Sequence, residues 1–218
     1  MTNIIGRWSN LITNLYEQIT LENDRIRLIP MQLSHAKDLH NINHESIWTY
    51  MLFQATSADL MNEWVQSAID LRNEMKSIPF VVILKSTGEV MGSTRIQHID
   101  YERNSCEIGA SWFGARAQRT FVNSDSKFLL LEFCFETMNM MRVQIRADER
   151  NERSNRAIER LGFTKEGVLR KERALHGVPR NLVVYSIIDE EWPEVKKNLL
   201  IKQQSYGQDT PDTKASNT

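Results

Sequence analysis

The chain has 218 residues, 27 basic and 28 acidic side chains, and a formal net charge of −1. This length suits one domain with a substantial hydrophobic core. The balance of charge argues against a nucleic-acid-binding protein, because contact with phosphate backbones requires an excess of basic residues. The N-terminus lacks the basic start and compact apolar run of a signal peptide, and no stretch approaches membrane-spanning length. We therefore expect a cytoplasmic protein with no membrane partner.

An amphipathic pattern covers the first 20 residues. Apolar side chains recur there at helical spacing on one face, whereas the opposite face is polar but not basic. A helix that lies on a membrane surface usually carries lysines and arginines on its polar face. We therefore interpret residues 1–20 as a helical extension that packs on its own domain or on a second subunit, in which case the protein is a homodimer.

Hydrophobic alternation and turn residues predict four strands in the first half of the chain. These strands cover residues 24–30, 79–84, 89–96 and 105–113. A turn at residues 86–88 joins the second and third strands into a hairpin. Two helices should precede the hairpin, one capped by Ser34 and ending near residue 47, the other capped by Ser57 and ending near residue 75.

The second half of the chain is predicted to begin with a strongly apolar helix at residues 126–138. A strand near residues 142–148 and a short helix that stops at Gly162 should follow. Two more strands, at 168–175 and 181–188, flank a turn at residues 176–177, and a last helix covers 190–201. Residues 202–218 are polar and aperiodic, which is typical of a disordered tail, so we place the folded domain at residues 21–201.

The run from Arg142 to Arg170, RVQIRADERNERSNRAIERLGFTKEGVLR, is the most informative part of the sequence. It combines a strand, Asn151 and Ser154 at a strand-to-helix junction, a short helix and a Gly-Phe turn. This order closely resembles the distal half of the acetyl-CoA site in GNAT N-acetyltransferases, and most of all the ribosomal-protein-alanine acetyltransferases. The other matching pieces, in the family's order, are DRIRLIP at 24–30, GEVMGSTRI at 88–96, CEIGASWF at 106–113, QRTFVNSDSKFLLLEFCFE at 118–136 and NLVVYSIIDEEWP at 181–193.

The resemblance implies an α/β fold: a single GNAT-like domain with a mixed, mostly antiparallel twisted sheet of six to seven strands and helices on both faces. It implies an enzyme that moves an acetyl group from acetyl-CoA to a primary amine, either a protein N-terminus or a small amine. Trp48, Trp64 and His176 are hypothesised, from position alone, to line the acceptor side.

The alternative is a non-catalytic acyl-CoA-binding or sensing module, because Phe121 and Ile158 depart from the family's phosphate loop and usual tyrosine acid. A third interpretation is a defunct cofactor site in a protein that assembles through residues 1–20.

In the family, the pyrophosphate of acetyl-CoA is bound by a loop of the form Gln/Arg-x-x-Gly-x-Gly/Ala that opens onto a helix N-terminus. The aligned cofactor-binding residues here are Gln118, Arg119, Thr120, Phe121, Val122 and Asn123. Phe121 stands at the central glycine position, where it admits a phosphate only if its ring turns away. Arg119 can add a charge-assisted phosphate contact. A surface turn followed by a capped helix is the alternative interpretation.

For the pantetheine arm, the resemblance implies a cleft between the fourth and fifth predicted strands. The amides of the arm should pair with the exposed edge of the fourth strand, at Ser111, Trp112 and Phe113. Asn151, at the end of the fifth strand, matches a residue that commonly hydrogen-bonds the cofactor arm. It can also cap the following helix, and the two roles are compatible.

Two residues are the candidates for acid–base catalysis. Glu107 matches an acidic position of the family and would accept a proton from the amine, although an exposed strand glutamate paired with an arginine would give the same sequence. Glu166 and Glu172 are reserves. Ser154 resembles the serine that protonates the leaving thiolate in the ribosomal-protein branch; its alternative role is to cap the helix beside Asn151.

No metal site is expected. His35, His40 and His44 fall on one predicted helix, and two of them are four residues apart, a spacing that metal ligands can adopt. No HExxH pattern or cysteine pair accompanies them, so a solvated helix face is the simpler interpretation. Cys106 and Cys134 are interpreted as small buried hydrophobic residues.

Overall fold

A computed structural model describes Tyr16 and residues 18–205 of the chain. Most of the predicted helical extension (residues 1–20) and of the predicted tail (residues 202–218) lies outside the described residues. Within the described part of the chain, no helix is long and apolar enough to cross a membrane.

One mixed sheet of eight strands organises the described residues, in the spatial order β1-β2-β3-β4-β5-β6-β8-β7. The strands are β1 (Leu21–Glu22), β2 (Ile26–Pro30), β3 (Ser77–Leu84), β4 (Val90–Asp100), β5 (Ser105–Phe113), β6 (Arg142–Asp148), β7 (Thr164–Leu175) and β8 (Val178–Ile188). β5 and β6 run parallel, and the other neighbouring pairs are antiparallel. The count exceeds the predicted six to seven strands because β1, with two residues, is too short to show an alternating pattern.

Most helices lie where the sequence predicted them. They are α1 (Ala36–Asn41), α2 (Ala58–Asn73), α3 (Phe121–Glu132), α4 (Glu152–Arg160) and α5 (Trp192–Ser205). Ser57 caps α2 as predicted, since its side chain accepts a hydrogen bond from the backbone N–H of Leu60. α3 begins at Phe121 rather than Ser126 because Thr120 caps it, and a π-helical turn at Phe133–Thr137 follows its last residue.

The single helix predicted over residues 34–47 is wrong. A 3-10 turn precedes α1, α1 ends at Asn41, and a second 3-10 turn begins at Glu45. Asn43 holds the break, because its amide donates to the carbonyl oxygen of Ala55 (2.6 Å) and its side-chain oxygen accepts from the indole of Trp48 (2.7 Å). Bonds of this kind compete with helix formation. The three histidines of the predicted helix consequently lie on separate elements.

Helices cover both faces of the sheet, as predicted. α3 and α5 pack on one face, where the core includes Phe80, Leu130 and Trp192. α1, α2 and the second 3-10 turn (Glu45–Tyr50) pack on the other face. The centre of that second layer is an indole cluster with ring centroids 5.5 to 5.9 Å apart, formed by Trp48, Trp64 and Trp112. The two cysteines are buried and free, as expected from the sequence.

Candidate active site

β5 and β6 are hydrogen-bonded at one end and diverge at the other. Their pairing joins Ser105 to Arg142, Cys106 to Val143 and Glu107 to Gln144. No further row of this pair occurs among the described residues, although β5 continues to Phe113 and β6 to Asp148. The edge of β5 at residues 108–113 therefore faces a cleft between the two strands. An unpaired strand edge can hydrogen-bond the amides of an extended ligand.

A β-bulge interrupts β5 where this cleft opens. Gly109 pairs with Arg95 and Trp112 pairs with Ser93, so β5 has one more residue than β4 over the interval. Ala110 absorbs the extra length with a φ of 47°, in the left-handed region. Bulges often lie beside active sites because they change the direction in which backbone and side-chain groups point.

The residues predicted to bind pantetheine lie just past the bulge. The Ser111 hydroxyl is 2.7 Å from that of Thr94 and accepts a hydrogen bond from the Lys127 ammonium (2.5 Å), so it faces α3. The Trp112 side chain is buried in the indole cluster, and the Phe113 side chain is half-buried against the core under α3. What these three residues offer to the cleft is therefore their backbone.

The predicted phosphate loop leads directly into α3. The Thr120 hydroxyl caps the helix by accepting from the backbone N–H of Val122 (3.2 Å). Phe121 is the first residue of α3, and its ring lies 4.5 Å from the guanidinium carbon of Arg25. The left-handed φ that a glycine would favour falls on Arg119, at 63°, and not on Phe121. The ring of Phe121 thus stacks on Arg25, the residue that precedes β2.

The predicted loop also touches the opposite wall of the cleft. The side chain of Gln118 donates to the carbonyl oxygen of Phe113 (3.2 Å) and accepts from the guanidinium of Arg153 on α4 (2.9 Å). Asn123 lies half-buried in the first turn of α3. Gln118 therefore ties together the end of β5, the loop and α4, which are the three parts that would enclose a cofactor.

Asn151 and Ser154 lie at the junction between β6 and α4. Asn151 is the N-cap of α4, and its side-chain oxygen accepts from the backbone N–H of Ser154 (3.1 Å). The capping role foreseen for Asn151 is therefore present. The Ser154 hydroxyl makes no hydrogen bond to the described residues and is only half-buried. Ile158, where many relatives place a tyrosine acid, is buried in the core.

Glu107 is buried rather than exposed, and its carboxylate accepts three hydrogen bonds. The donors are the side-chain amides of Gln97 (2.9 Å) and Gln144 (3.0 Å) and the guanidinium of Arg146 (2.6 Å). The reserve candidates are also paired with arginines. A hydrogen bond from Arg173 lowers the pKa of Glu172, and one from Arg142 lowers the pKa of Glu166. The carboxylates foreseen as bases are thus held in ion pairs.

Comparison with known proteins assigns the family. Residues 25–164, well over half of the chain, match the acetyltransferase (GNAT) domain. The chain belongs to the GNAT acetyltransferase family. YdaF of Bacillus subtilis, provisionally named a ribosomal N-acetyltransferase, is 26% identical over 179 residues, or 78% of this chain and 94% of YdaF.

Solved structures agree with this assignment. A GCN5-related N-acetyltransferase from Brucella melitensis is 25% identical, covers 85% of each chain and gives a TM-score of 0.79. RimJ from Mycobacterium smegmatis, solved in complex with CoA-disulfide, shares the fold at 20% identity, with a TM-score of 0.71 over 82% of this chain and 89% of RimJ. The family foreseen from the sequence motifs is confirmed.

One buried residue of this GNAT domain escaped sequence reasoning. Lys127 lies on α3 with 5% of its surface exposed, and its ammonium contacts the hydroxyls of Ser111 (2.5 Å) and Thr94 (3.3 Å). It forms no ion pair with a described carboxylate. Burial lowers the pKa of Lys127 to about 7. A lysine directly before the apolar run FLLLEF, within a helix predicted to be apolar all round, was the available signal, because lysine is rarely buried without a partner.

The acceptor side of the cleft is bridged by the chain after α1. The Tyr50 hydroxyl donates to the carbonyl oxygen of Arg150 (3.3 Å), and the Gln54 amide lies 3.2 Å from the imidazole of His176. His176 is exposed in the turn between β7 and β8, whereas the indoles hypothesised to line this side are buried in their own cluster. The end of the second 3-10 turn therefore contacts the loop after β6, and the segment that follows it contacts the β7–β8 turn.

Proposed function

We propose that this GNAT acetyltransferase moves an acetyl group from acetyl-CoA to a primary amine, which attacks the thioester carbonyl directly. The observation that carries the proposal is the divergence of β5 from β6 after Glu107, beside the N-terminus of α3. This geometry offers a free strand edge for pantetheine amides and helix N–H groups for the pyrophosphate. In the reaction a C–N bond forms, the C–S bond breaks, the amine loses a proton and the thiolate gains one.

Ser154 is the proposed donor of that proton to the thiolate. Its hydroxyl is not used by any described residue, whereas the helix cap uses its backbone N–H. Ser154→Ala therefore removes the hydroxyl without removing the capping bond. Asn151 uses its side-chain oxygen for the cap, which leaves the amide nitrogen of the same side chain for the cofactor arm.

The paired state of the carboxylates favours an amine that loses its proton easily. Glu107 is the proposed base, acting through water, but its lone pairs already accept from Arg146 and two amides. A terminal α-amine has a pKa near ~8 and is partly neutral at cellular pH, whereas a lysine near ~10.4 needs a stronger base. We therefore expect α-amines to be acetylated faster than ε-amines.

The test combines binding with turnover. Acetyl-CoA and CoA are titrated by calorimetry, and release of the CoA thiol is followed with a panel of α-amines and ε-amines. Ser154→Ala and Glu107→Gln should each lower kcat about 100-fold, the usual size of a general acid or base contribution, with CoA binding intact. Ser86→Ala and Glu74→Gln, both exposed positions, are the matched controls.

A non-catalytic acyl-CoA-binding module is the second candidate. The buried Ile158 at the usual tyrosine position and the hydrogen-bonded carboxylate of Glu107 favour it. It predicts micromolar binding of CoA with no thiol release above the control for any amine. Thiol release that disappears in Ser154→Ala while CoA still binds would exclude this candidate. Failure of the wild type to bind CoA would overturn both.

A further inference from the structure

Arg95 is a buried cation on the acceptor face of the sheet. It lies on β4 opposite Gly109, the residue that precedes the bulge, and 6% of its surface is exposed. Its guanidinium carbon is 4.4 Å from the ring centroid of Trp64. Two residues further along β4, Gln97 pairs with Glu107, and side chains two residues apart share a face, so Arg95 and Glu107 point to the same face of the sheet.

The guanidinium of Arg95 has no partner on the edge that usually binds carboxylates. Its Nε and Nη2 atoms are buried without a hydrogen bond to a described residue. Three other arginines of this chain, Arg25, Arg150 and Arg173, each place these same two atoms on a carboxylate within 2.7 to 2.9 Å. Arg95 thus presents the same bidentate fork, and no described residue accepts from it.

The indole cluster adds a third unpaired donor. The indole N–H of Trp112 is buried without a described partner, and its ring lies 5.9 Å from that of Trp64, over which Arg95 stacks. Stacking on an indole attracts the cation but satisfies none of the N–H groups in the guanidinium plane. Three buried donors that have no acceptor among the described residues are complementary to an anionic oxygen group.

Residues nearby cannot supply that group without losing their own partners. The Glu107 carboxylate, on the same face, already accepts from Arg146 and from the side-chain amides of Gln97 and Gln144. Burial lowers the pKa of Arg95 only to about 10, so it remains charged at neutral pH. An unpaired buried charge is strongly unfavourable, which makes an external partner the natural complement.

We propose that Arg95 and the Trp112 N–H bind a carboxylate of the acceptor, so that the preferred acceptor is a small amine that carries its own carboxylate. This inference rests on the proposed acetyl transfer and names its substrate class. The carboxylate would lie in the plane of the Arg95 guanidinium, beside the rings of Trp64 and Trp112. The carboxylate of a free amino acid stabilises the protonated form of its own amine. Pairing of that carboxylate with Arg95 offsets its negative charge and so lowers the pKa of the amine.

Binding must rearrange the indole cluster. The Nε and Nη2 atoms are buried, so a carboxylate reaches them only after side chains around Trp64 and Trp112 shift. Side-chain rearrangement on binding is common. Tryptophan fluorescence should therefore change when an amino carboxylate is added, and it reports binding without requiring turnover.

The experiment compares amino acids with the corresponding amino acid amides, which lack the carboxylate. Glycine, alanine and serine and their amides are tested in thiol-release and fluorescence titrations with wild type, Arg95→Met, Arg95→Lys and the surface control Arg27→Met. Arg95→Met should raise KM for the acids about 10- to 100-fold, the value of a charged bidentate contact, and leave KM for the amides unchanged. Arg95→Lys keeps the charge but not the fork, and should recover only part of the loss.

Several results would overturn the inference. The first is an Arg95→Met substitution that changes KM by the same factor for the amino acids and for their amides. The second is a wild-type enzyme that acetylates peptides or amides but no amino acid. If CoA binds but no amine is acetylated, the proposed transfer fails, and the fluorescence titration still decides the carboxylate site. Thermal unfolding of each variant confirms that the comparison is made on folded protein.

Discussion

A buried cation lies on each face of the sheet beside β4, and the two cations differ in whether they can lose their charge near neutral pH. Thr94 and Arg95 are neighbours whose side chains point to opposite faces of the sheet. On the α3 face, Lys127 contacts the Thr94 and Ser111 hydroxyls, and burial lowers its pKa to about 7. On the α2 face, Arg95 lies over Trp64 and keeps its charge at neutral pH, although burial lowers its pKa to about 10.

The difference follows from the chemistry of the two side chains. A buried lysine can release its proton and become a neutral amine that donates to and accepts from hydroxyls. Arginine cannot do so near neutral pH, and its charge persists until another group neutralises it. The buried cation on the α3 face can therefore lose its charge within the protein itself, whereas the cation on the α2 face stays charged until an anion pairs with it.

The largest expected effect comes from an arginine that already has its carboxylate. Arg25 binds both oxygens of Asp125, whose side chain is 0% exposed. Arg25→Met would leave that buried carboxylate without a cation, with the Asn23 amide as its remaining side-chain donor, and should lower the free energy of unfolding by about 3–5 kcal/mol. Arg95→Met removes a cation without leaving such a partner, and should leave stability unchanged or raise it.

Urea unfolding of the two variants at pH 7 makes this comparison directly. Arg25→Met combined with Asp125→Leu is the matched control, because removing both charges should recover much of the lost stability. Equal losses for Arg25→Met and Arg95→Met would mean that Arg95 has a structural partner in solution, which would contradict the contrast drawn between the two faces.

A smaller effect, which depends on pH, is expected at Lys127. Its pKa is about 7 in the fold against the usual 10.5, so the unfolded chain holds more protons between these values. The free energy of unfolding of the wild type should therefore rise with pH across that window, by at most about 1.4 kcal/mol per pH unit. Lys127→Met removes this contribution and should be more stable than the wild type near pH 7, by about 2–4 kcal/mol.

Unfolding curves at a series of pH values from about 7 to 10 test the sign and the size of this effect. Lys165→Met, at an exposed position on β7, is the matched control and should run parallel to the wild type. If the wild type and Lys127→Met show the same slope, Lys127 keeps its proton in the fold, and the α3 face is charged like the α2 face.

Sequence reasoning performed best where a pattern repeats or a motif has a fixed order. β5, α2 and the Asn151 cap were foreseen because each depends on neighbours in sequence. Strand β1 and the break at Asn43 were missed. A two-residue strand shows no alternating pattern, and the amide of Asn43 bonds to Ala55, which lies beyond the next turn. Short-range signals cannot reveal such contacts.

The site was foreseen less completely than the fold for the same reason. The motif named Glu107 and Ser154, but the three hydrogen bonds on Glu107 come from β4 and β6, which no local pattern connects. Arg95 and Lys127 lie inside pieces that match the family, but no role was attached to them there, because their burial depends on which helix covers which face of the sheet. The residue types indicated which groups can bind or transfer protons, whereas the hydrogen-bond partners of those groups depend on tertiary packing.

The smallest expected effect concerns Phe121, which stands at the glycine position of the phosphate loop. Its ring packs on Arg25 and the left-handed backbone angle falls on Arg119, so the phenyl group does not occupy the loop. Phe121→Gly should therefore cost about 1–2 kcal/mol of stability, from the lost cation–π contact and a weaker first helical turn, and leave the Kd for acetyl-CoA within about twofold. Calorimetry and thermal unfolding measure the two quantities on the same samples. Acetyl-CoA binding that appears only in Phe121→Gly would show that the ring blocks the phosphate loop in solution, and would contradict its placement on Arg25.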